Sequence, residues 1–481
     1  MIALGPFRSL LLPALAVLSL AGAGARAEPP VLTLDDAVRL ARARQPAIEA
    51  QQGQAAAAHG RQEQALARLL PFLDGSVAYA PTTPNFAVTP AQQRVLLANS
   101  GSAQVLDAAG APVTVNCRTP GMGNCTPIPA PPNSWALQSY WTMQLGLNWT
   151  VWDWGRSIDG YRGARDLAAA ADAGVAVSER DVVLNVQLAF FAAVTADEQV
   201  AVAEDAVKTY RAHTAQTRGL HDAGLRTGID VATAESAEAA VAITLARARA
   251  ARDAARAQLD VALGVDAWPG WTLRAPAATF ELQPSDDARA DAPLDALAES
   301  AAARRPEVVQ LRLTESGLGA ARAATRGSYL PQLTLSLGPS WAGTGLSSLT
   351  PNWSVVIGLG YPTGGMSPWL VHGQTREADG NLIGARAQQR ATLEAIRAET
   401  VTARAALIAA RDELRFARTL AEAAARQRGL ADGRYQTGIG NVIELYDALL
   451  TDVNARFQLV QARLDLASAR ARLQHALGDR P

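Results

Sequence analysis

The chain is poor in cysteine, lysine and aromatic side chains. Of its 481 residues, two are cysteines, Cys117 and Cys125, Lys208 is the only lysine, and aromatic residues make up 5%. A compact enzyme core normally holds more bulky side chains than this. The abundant alanine instead favours helices whose backbones pack closely along their length.

Sequence signatures of common enzymes are also missing. The chain has no G-x-G-x-x-G, P-loop, H-E-x-x-H or G-x-S-x-G motif. Its five histidines (59, 213, 221, 372 and 475) are scattered, and each is better explained as a surface or packing residue than as a ligand. The formal net charge of −1 gives no reason to expect nucleic acid as a partner. The sequence therefore predicts a protein that is not an enzyme and holds no cofactor or metal.

The first residues have the pattern of an export signal. Arg8 precedes an apolar run from Leu10 to Ala23, and a small-x-small cleavage site follows at 25–27. We expect a signal peptide over 1–27 and a mature chain that begins at Glu28. An uncleaved anchor helix is the weaker alternative, because the run is too short to span a bilayer comfortably. Beyond residue 30 no apolar run is long enough for a transmembrane helix. The residue directly after the cleavage site is not a cysteine, so a lipid anchor is not expected there.

The two cysteines lie in a stretch rich in Pro, Gly, Asn and Thr. In an exported protein a small disulfide loop between Cys117 and Cys125 is the expected reading. A metal site is disfavoured, since two sulfurs without a nearby His or further Cys do not complete a tetrahedral shell.

The chain contains an internal duplication. Segments recur in the same order in both halves: Leu34-Asp35 and Pro46 at Leu294-Asp295 and Pro306, Leu70-Pro71 at Leu330-Pro331, Trp141 and Trp149 at Trp353 and Tyr361, and Gly224 to Ala234 at Gly438 to Ala448. We therefore expect a first repeat over 28–264, an equatorial linker over 265–292 and a second repeat over 293–481. The first copy carries about 50 extra residues around the two cysteines.

Each copy has the same predicted elements. A helix of about 36 residues (34–70; 294–329) ends at Leu-Pro, because Pro71 and Pro331 cannot continue it. Strands follow, and then a long helix (157–221; 376–434), a Gly-containing tip (222–228; 433–441) and a returning helix (229–264; 442–478). Such long helices are typical of a coiled coil.

The predicted strands alternate between apolar and small or polar residues, as at 141–151 and 353–361. An ordinary half-buried sheet alternates too. Two details favour a membrane barrel: the opposite face suits a wet lumen, and aromatic residues bracket the apolar face. This predicted girdle consists of Trp141, Trp149, Trp353 and Tyr361. Four strands cannot close a barrel alone, so several chains must share one; three would give twelve strands and leave a lumen.

The last helix carries two neighbouring stripes. An apolar seam includes Leu445, Leu449 and Val453, and beside it runs a polar stripe of Glu444, Asp447, Thr451, Asn454, Gln458 and Gln461. A solvated helix face is the simplest explanation of the second stripe. A pore lining is the alternative, favoured because the stripe is mostly uncharged beyond its first turn and its acids lie at the tip itself.

With these parts in this order, the sequence resembles the TolC family of outer-membrane efflux proteins over essentially all of the mature chain. The second tip, Tyr435-x-x-Gly438 through Glu444-x-x-Asp447-Ala448, is similar to the family motif Y-x-x-G…D-x-x-D-A. The resemblance implies a mixed α/β membrane protein. Three chains would form a twelve-stranded β-barrel, continuous with a long periplasmic α-helical coiled-coil barrel.

The resemblance also implies roles for particular residues. Glu444 and Asp447 would form acidic rings that constrict the tunnel and favour cations. Tyr435 and Asp230 would form a gate lock, in which the tyrosine hydrogen-bonds the aspartate on the neighbouring tip. A basic residue that assists this lock in some members would fall at Gly440 and is absent. Gly224 and Gly438 match tip glycines near which adaptor hairpins dock.

The implied function is that of the outer-membrane exit duct of a tripartite efflux pump or type I secretion system. The partners would be two further copies of the chain, a periplasmic adaptor, an inner-membrane transporter of RND, ABC or MFS type, and outer-membrane lipid. A periplasmic coiled-coil adaptor, or a structural envelope protein without a pore, is the alternative. The sequence names no cargo.

Overall fold

The structure of the protein is a computed structural model. The residues that this structure describes are 31–81, 102–106, 112–117, 125–128, 137, 139–266, 270–343, 345–362 and 367–479. The expected signal peptide lies outside these residues. The chain divides into two compact units, the first from segments 1–45, 182–291 and 404–472 and the second from 46–181, 292–403 and 473–481.

The described helices follow the duplicated order that the sequence predicts. In the first half they are α1 (Leu34–Arg44), α2 (Pro46–Ala67), α3 (Arg156–Asp222), α4 (Gly228–Leu263) and α5 (Pro284–Asp291). In the second half they are α6 (Leu294–Arg304), α7 (Pro306–Gly327), α8 (Pro368–Gln436) and α9 (Val442–Leu477). By length and composition alone, α3 has a stretch apolar enough to cross a membrane, and 44% of that stretch is buried inside the protein. Long core helices of soluble proteins meet the same criterion, so this is weak evidence of a span.

The first helix of each half is not continuous, which corrects the prediction of one helix of about 36 residues. Gln45 and Arg305 adopt extended backbone with ψ of 118° and 128°, and each precedes a proline. The proline ring clashes with a helical residue before it, so Pro46 and Pro306 each end one helix and begin another.

A glycine packs against each of these breaks. Gly264 and Gly478 both have positive φ, 68° and 75°. A Cβ on Gly264 would lie 2.9 Å from the carbonyl oxygen of Arg44, and one on Gly478 would lie 3.0 Å from the Cβ of Arg304. The duplication therefore extends to matching close contacts, each within its own unit.

The second unit contains an antiparallel four-stranded sheet in the order β2-β6-β8-β9. Its strands are β2 (Phe72–Tyr79), β6 (Trp141–Trp152), β8 (Gln332–Gly343) and β9 (Thr350–Gly360). All four were predicted from alternation. The register aligns their apolar positions across the sheet, as in the row Leu73, Leu147, Leu337 and Val355.

The opposite face of this sheet is polar. The side-chain amide of Asn148 donates to the carboxylate of Asp74, and the hydroxyl of Ser336 donates to the Asn148 amide oxygen at 2.6 Å. These bonds join side chains of β2, β6 and β8. One face of the sheet thus offers hydrogen-bonding groups, while the other presents apolar and aromatic side chains.

The extra residues of the first half contain a sheet that the sequence did not predict. Its strands are β3 (Ser102–Leu106), β4 (Pro112–Cys117) and β5 (Cys125–Ile128), in antiparallel order. In the β4–β5 ladder Cys117 lies directly opposite Cys125. Opposite residues of antiparallel strands have Cα atoms about 4.5–5.5 Å apart, within the range that a disulfide spans.

The predicted linker segment, 265–292, contains small elements that lie in the first unit. Strand β7 (Thr272–Arg274) pairs in parallel with β1 (Val31–Thr33), and a 3₁₀ turn and α5 follow. The guanidinium of Arg470 on α9 binds both carboxylate oxygens of buried Asp286 and the carbonyls of Thr279 and Glu281. This charge-assisted network holds the linker on α9.

Candidate functional site: the two helical tips

Two tips in the first unit turn the chain between long helices, one from α3 to α4 and one from α8 to α9. Gly224 and Gly438 have φ of +74° and +78°, a left-handed conformation that favours glycine. The amides of Leu225 and Ile439 reach back to carbonyls five residues earlier, at 2.8 and 3.0 Å. Both tips therefore end their first helix with the same Schellman-type cap.

Asp230 caps the start of α4. Its carboxylate accepts hydrogen bonds from the backbone amide of Thr227 at 3.1 Å and from the Thr227 hydroxyl at 3.0 Å. This is a capping box, which satisfies amide groups that the first helical turn leaves unpaired. At the second tip the side chain of Asn441 accepts from the amide of Ile443 at 3.1 Å.

The Tyr435 side chain is buried between the helices, with 2% of its surface exposed. Its hydroxyl lies 2.9 Å from that of Thr217, which also donates to the His213 carbonyl. Because a threonine hydroxyl has a single proton, Tyr435 is the donor in this pair. Among the described residues, no hydrogen bond joins Tyr435 to Asp230. The two residues of the predicted lock are thus bonded to other partners within one chain.

The backbone explains why no basic residue stands at position 440. A Cβ on Gly440 would lie 2.8 Å from the amide nitrogen of Tyr435 and 2.9 Å from the carbonyl carbon of Arg434. Real Cβ atoms do not approach backbone so closely, so a side chain at 440 would require this tip to shift. The space over the Tyr435 ring is used instead by Arg226 of the first tip, whose guanidinium carbon is 4.8 Å from the ring centroid.

The two acids of the predicted ring are exposed on α9. Glu444 and Asp447 lie on the exposed side of the first turns of this helix, and the rest of the polar stripe, Thr451, Asn454, Gln458 and Gln461, is exposed as well. The seam beside it faces inward: Leu445, Leu449 and Val453 are buried. Arg434 lies near the ring position, with its guanidinium 3.6 Å from the Glu444 carboxylate.

A buried acid lies under this surface. Asp452 is 1% exposed and is held by Arg428 at 3.0 Å and by Arg456 at 3.1 Å. Arg456 also reaches Asp205 on α3 at 2.8 Å. These ion pairs bind α9 to α8 and α3 and so support the helix that carries the exposed acids.

Each tip also presents an exposed apolar pair beside its glycine. Leu225 and Ile229 are 71% and 74% exposed on the first tip, and Ile439 and Ile443 are 76% and 56% exposed on the second. The two pairs occupy corresponding positions of the duplication. Exposed apolar groups of this kind mark contact sites when they are clustered.

The predicted aromatic girdle lies on the sheet of the second unit. Trp141 starts β6 and packs against Tyr79, with ring centroids 4.8 Å apart and the planes tilted by 43°. Trp353 on β9 is 66% exposed. Trp149 lies near the other end of β6, and its indole N–H donates to the Leu69 carbonyl at 3.1 Å. Tyr361 directly follows the last residue of β9, at this same second end of the sheet. Two exposed tryptophans outside the predicted girdle, Trp152 and Trp154, extend this second end.

Comparison with known proteins now decides the family. The family model described as outer membrane efflux protein matches residues 133–265 and 297–479, more than half of the chain.

The chain belongs to the outer membrane efflux protein family.

Solved structures of similar fold agree with this assignment. The outer-membrane channel OprN has a TM-score of 0.72 at 16% identity, covering 93% of this chain and 90% of its own. CmeC, an outer-membrane channel of Campylobacter jejuni, has a TM-score of 0.73 at 16% identity, with coverages of 92% and 85%. VceC, an outer-membrane protein of Vibrio cholerae, has a TM-score of 0.67 at 16% identity, with coverages of 93% and 96%. No curated protein matches the chain.

As an outer membrane efflux protein, the chain has the predicted fold class and localisation. It shares the fold of the trimeric outer-membrane channels, with a four-stranded sheet, long periplasmic helices and an internal duplication. Its place is the outer membrane of the cell envelope, and its general role is efflux. In this efflux protein, the sequence did not predict a role for two basic residues at the tips. Arg226 and Arg434 contact groups of the opposite tip or helix, which no local pattern indicates.

Proposed function

We propose that three copies of the chain form the exit duct of a tripartite efflux pump or type I secretion system. Substrates would pass through it passively, with no chemistry on the cargo. An inner-membrane transporter of RND, ABC or MFS type would supply the energy, and a periplasmic adaptor would connect the two.

One observation carries this proposal: the four-stranded sheet has two open edges and an apolar exposed face. Within the described residues, β2 pairs only with β6 and β9 only with β8. Leu73 and Val77 on β2 and Ile357 and Leu359 on β9 are each more than 60% exposed. In lipid such edges would leave backbone groups unpaired at several kcal/mol each, so β2 of one copy must pair with β9 of the next. Twelve strands close a barrel with a lumen, and the polar face formed by Asp74, Asn148 and Ser336 suits its wet interior.

The exposed acids support a cation-selective entrance. Three copies of Glu444 and Asp447 would place six carboxylates around a narrow pore and focus a negative potential there. The exposed apolar pairs beside Gly224 and Gly438 support adaptor docking at the tips. A hairpin with apolar side chains could cover Leu225 and Ile439 while its backbone approaches the glycines.

The test is reconstitution of the purified full chain into planar bilayers, with chemical crosslinking of the same sample. We expect a trimer band and discrete, salt-dependent conductance steps. The alternative functions make the opposite prediction: a soluble periplasmic adaptor would fractionate away from the outer membrane, and a structural envelope protein would give no conductance. Either result would overturn the exit-duct proposal.

A further inference from the structure

The turn of the first tip carries a cation whose contacts lie on the second tip. The guanidinium carbon of Arg226 is 4.8 Å from the centroid of the Tyr435 ring, and its Nη2 is 3.5 Å from the carbonyl oxygen of Gly440. A cation over an aromatic face is attracted by the negative charge of the ring's π-cloud. Arg226 therefore contacts both the end of α8 and the turn that leads into α9.

Arg226 differs from Arg218, a neighbouring cation of its own hairpin. Arg218, two turns earlier on α3, pairs with Glu235 of α4 at 2.6 Å, so its contacts stay within the first hairpin. Among the described residues, no ion pair joins Arg226 to a carboxylate. The contacts of Arg226 with the Tyr435 ring and the Gly440 carbonyl thus join one hairpin to the other.

The partner surface on the second tip is well defined. Tyr435 is held from below by its hydroxyl bond to Thr217, and the Gly440 amide donates to the Arg434 carbonyl at 2.8 Å. The lack of a side chain at 440 lets this turn lie directly on the Arg434–Tyr435 backbone. The ring face and the Gly440 carbonyl consequently stand together, where one guanidinium can reach both.

We propose that Arg226 is a latch that joins the two tips of each protomer through the Tyr435 ring and the Gly440 carbonyl. It positions the second tip, and with it the exposed acids of α9, against the first tip. The inference rests on the proposed function in one respect, namely that the tips form the entrance of the duct. The planar guanidinium can stack and donate at once, whereas an ammonium group can do so only in part.

The test compares Arg226→Ala, Arg226→Lys and the matched control Arg218→Ala in the reconstituted full chain. Both arginines belong to the first hairpin, and within the described part of the chain only Arg226 of the two contacts the second tip. If the latch holds the entrance, Arg226→Ala raises the open fraction of single channels about two- to fivefold, the change expected on losing a cation–π contact near the surface. Arg226→Lys gives an intermediate value, and Arg218→Ala equals wild type.

A second measurement does not depend on conduction. Hydrogen–deuterium exchange of the amides at 438–441 is expected to quicken about two- to fivefold in Arg226→Ala. It should stay at the wild-type rate in Arg218→Ala. Unchanged exchange at 438–441 would overturn the latch. Faster exchange with unchanged channel opening would overturn its role at the entrance. If the wild-type chain does not conduct, the exit-duct proposal is wrong. The hydrogen–deuterium exchange experiment would still decide whether Arg226 joins the two tips.

Discussion

The hydroxyl of Tyr435 on α8 donates a hydrogen bond to the hydroxyl of Thr217 on α3, with 2.9 Å between the oxygens. Both side chains are buried, in a core that also includes Tyr210, Leu445 and Tyr446. The bond joins the first long helix of one half of the duplication to that of the other. Within one chain, the hydroxyl of the tip tyrosine is therefore bonded to a neighbouring helix.

Removing either partner of this bond has unequal effects. Tyr435→Phe loses one buried hydrogen bond, about 1 kcal/mol, because Thr217 keeps its bond to the His213 carbonyl. Thr217→Val leaves the tyrosine hydroxyl buried without a partner and should cost more, about 1–3 kcal/mol. Thermal unfolding of the purified protein compares the two variants. Equal losses would contradict the assignment of Tyr435 as donor.

The predicted lock gives a related expectation for the entrance. Tyr435→Phe combined with Asp230→Ala should loosen it, since the second change also removes the capping box of α4 at about 1 kcal/mol. Single-channel conductance measures the effect, with Tyr435→Phe alone as the control. An unaltered conductance in the double variant would argue against a role of these residues in closure.

Glu444→Gln with Asp447→Asn should reduce cation selectivity without harm to the trimer, since both side chains are exposed. Arg434→Ala should act in the opposite direction, because its guanidinium lies 3.6 Å from Glu444 and offsets part of the negative charge. Reversal potentials in asymmetric salt measure both. Asp253→Asn, an exposed acid on α4, is the matched control. Reversal potentials that do not move with either change would refute the acid ring.

Cys117 and Cys125 should be bonded in the exported protein. Their direct opposition in the β4–β5 ladder supports the prediction from sequence. Peptide mapping without reductant should recover the two cysteines in one linked peptide. Cys117→Ser with Cys125→Ser should destabilise this hairpin by about 2–3 kcal/mol, the value for a short closed loop. Alkylation of both thiols in the native, unreduced protein would contradict the bond.

His475 lies in a cluster of charges in the second unit. Its ring nitrogens contact Asp181 at 3.0 Å and Glu399 at 3.3 Å, and these bonds raise the pKa of His475 above its ordinary 6.5. The bond from His475 and the contact with Arg305 lower the pKa of Glu399 from 4.5 to about 2. Glu307 and Arg180 complete the cluster, with Glu307 paired to Arg305 at 3.0 Å and to Arg180 at 3.2 Å.

Stability should therefore depend on pH in a defined direction. The contribution of His475 to the free energy of unfolding is fully present below pH 6.5 and is lost as the pH rises through the raised pKa of His475. The contribution of Glu399 is full above pH 4.5 and is lost as pH falls toward 2. Melting curves at pH 5.5 and 8.5 test this: His475→Gln should lower the melting temperature more at 5.5. His221→Gln, at the exposed first tip, is the control. If His475→Gln lowered the melting temperature equally at both pH values, the stability would not depend on the protonation of His475.

Much of the fold could be predicted because its signals are local and repeated. Alternation located the four strands of the large sheet, and Leu-Pro located the ends of α2 and α7. Glycine located both tips, since each needs a left-handed residue at one position. The breaks before Pro46 and Pro306 were missed, although a proline disfavours helical backbone at the residue before it and so marks each break. The sheet of β3 to β5 was missed because its strands are short and lie in a stretch rich in turn-forming residues.

The sequence alone therefore determined the duplication, the type of each main element and the polar stripe that begins with Glu444 and Asp447 on α9, since periodicity and proline chemistry act over a few residues. Tertiary structure decided which side chains meet. Tyr435 bonds Thr217, and Arg226 covers its ring, because residues about two hundred positions apart are brought together where the two hairpins pack. Gly440 excludes a side chain because its turn lies on the backbone of Arg434 and Tyr435. Such contacts depend on the packing of whole helices, which no local pattern of residues specifies.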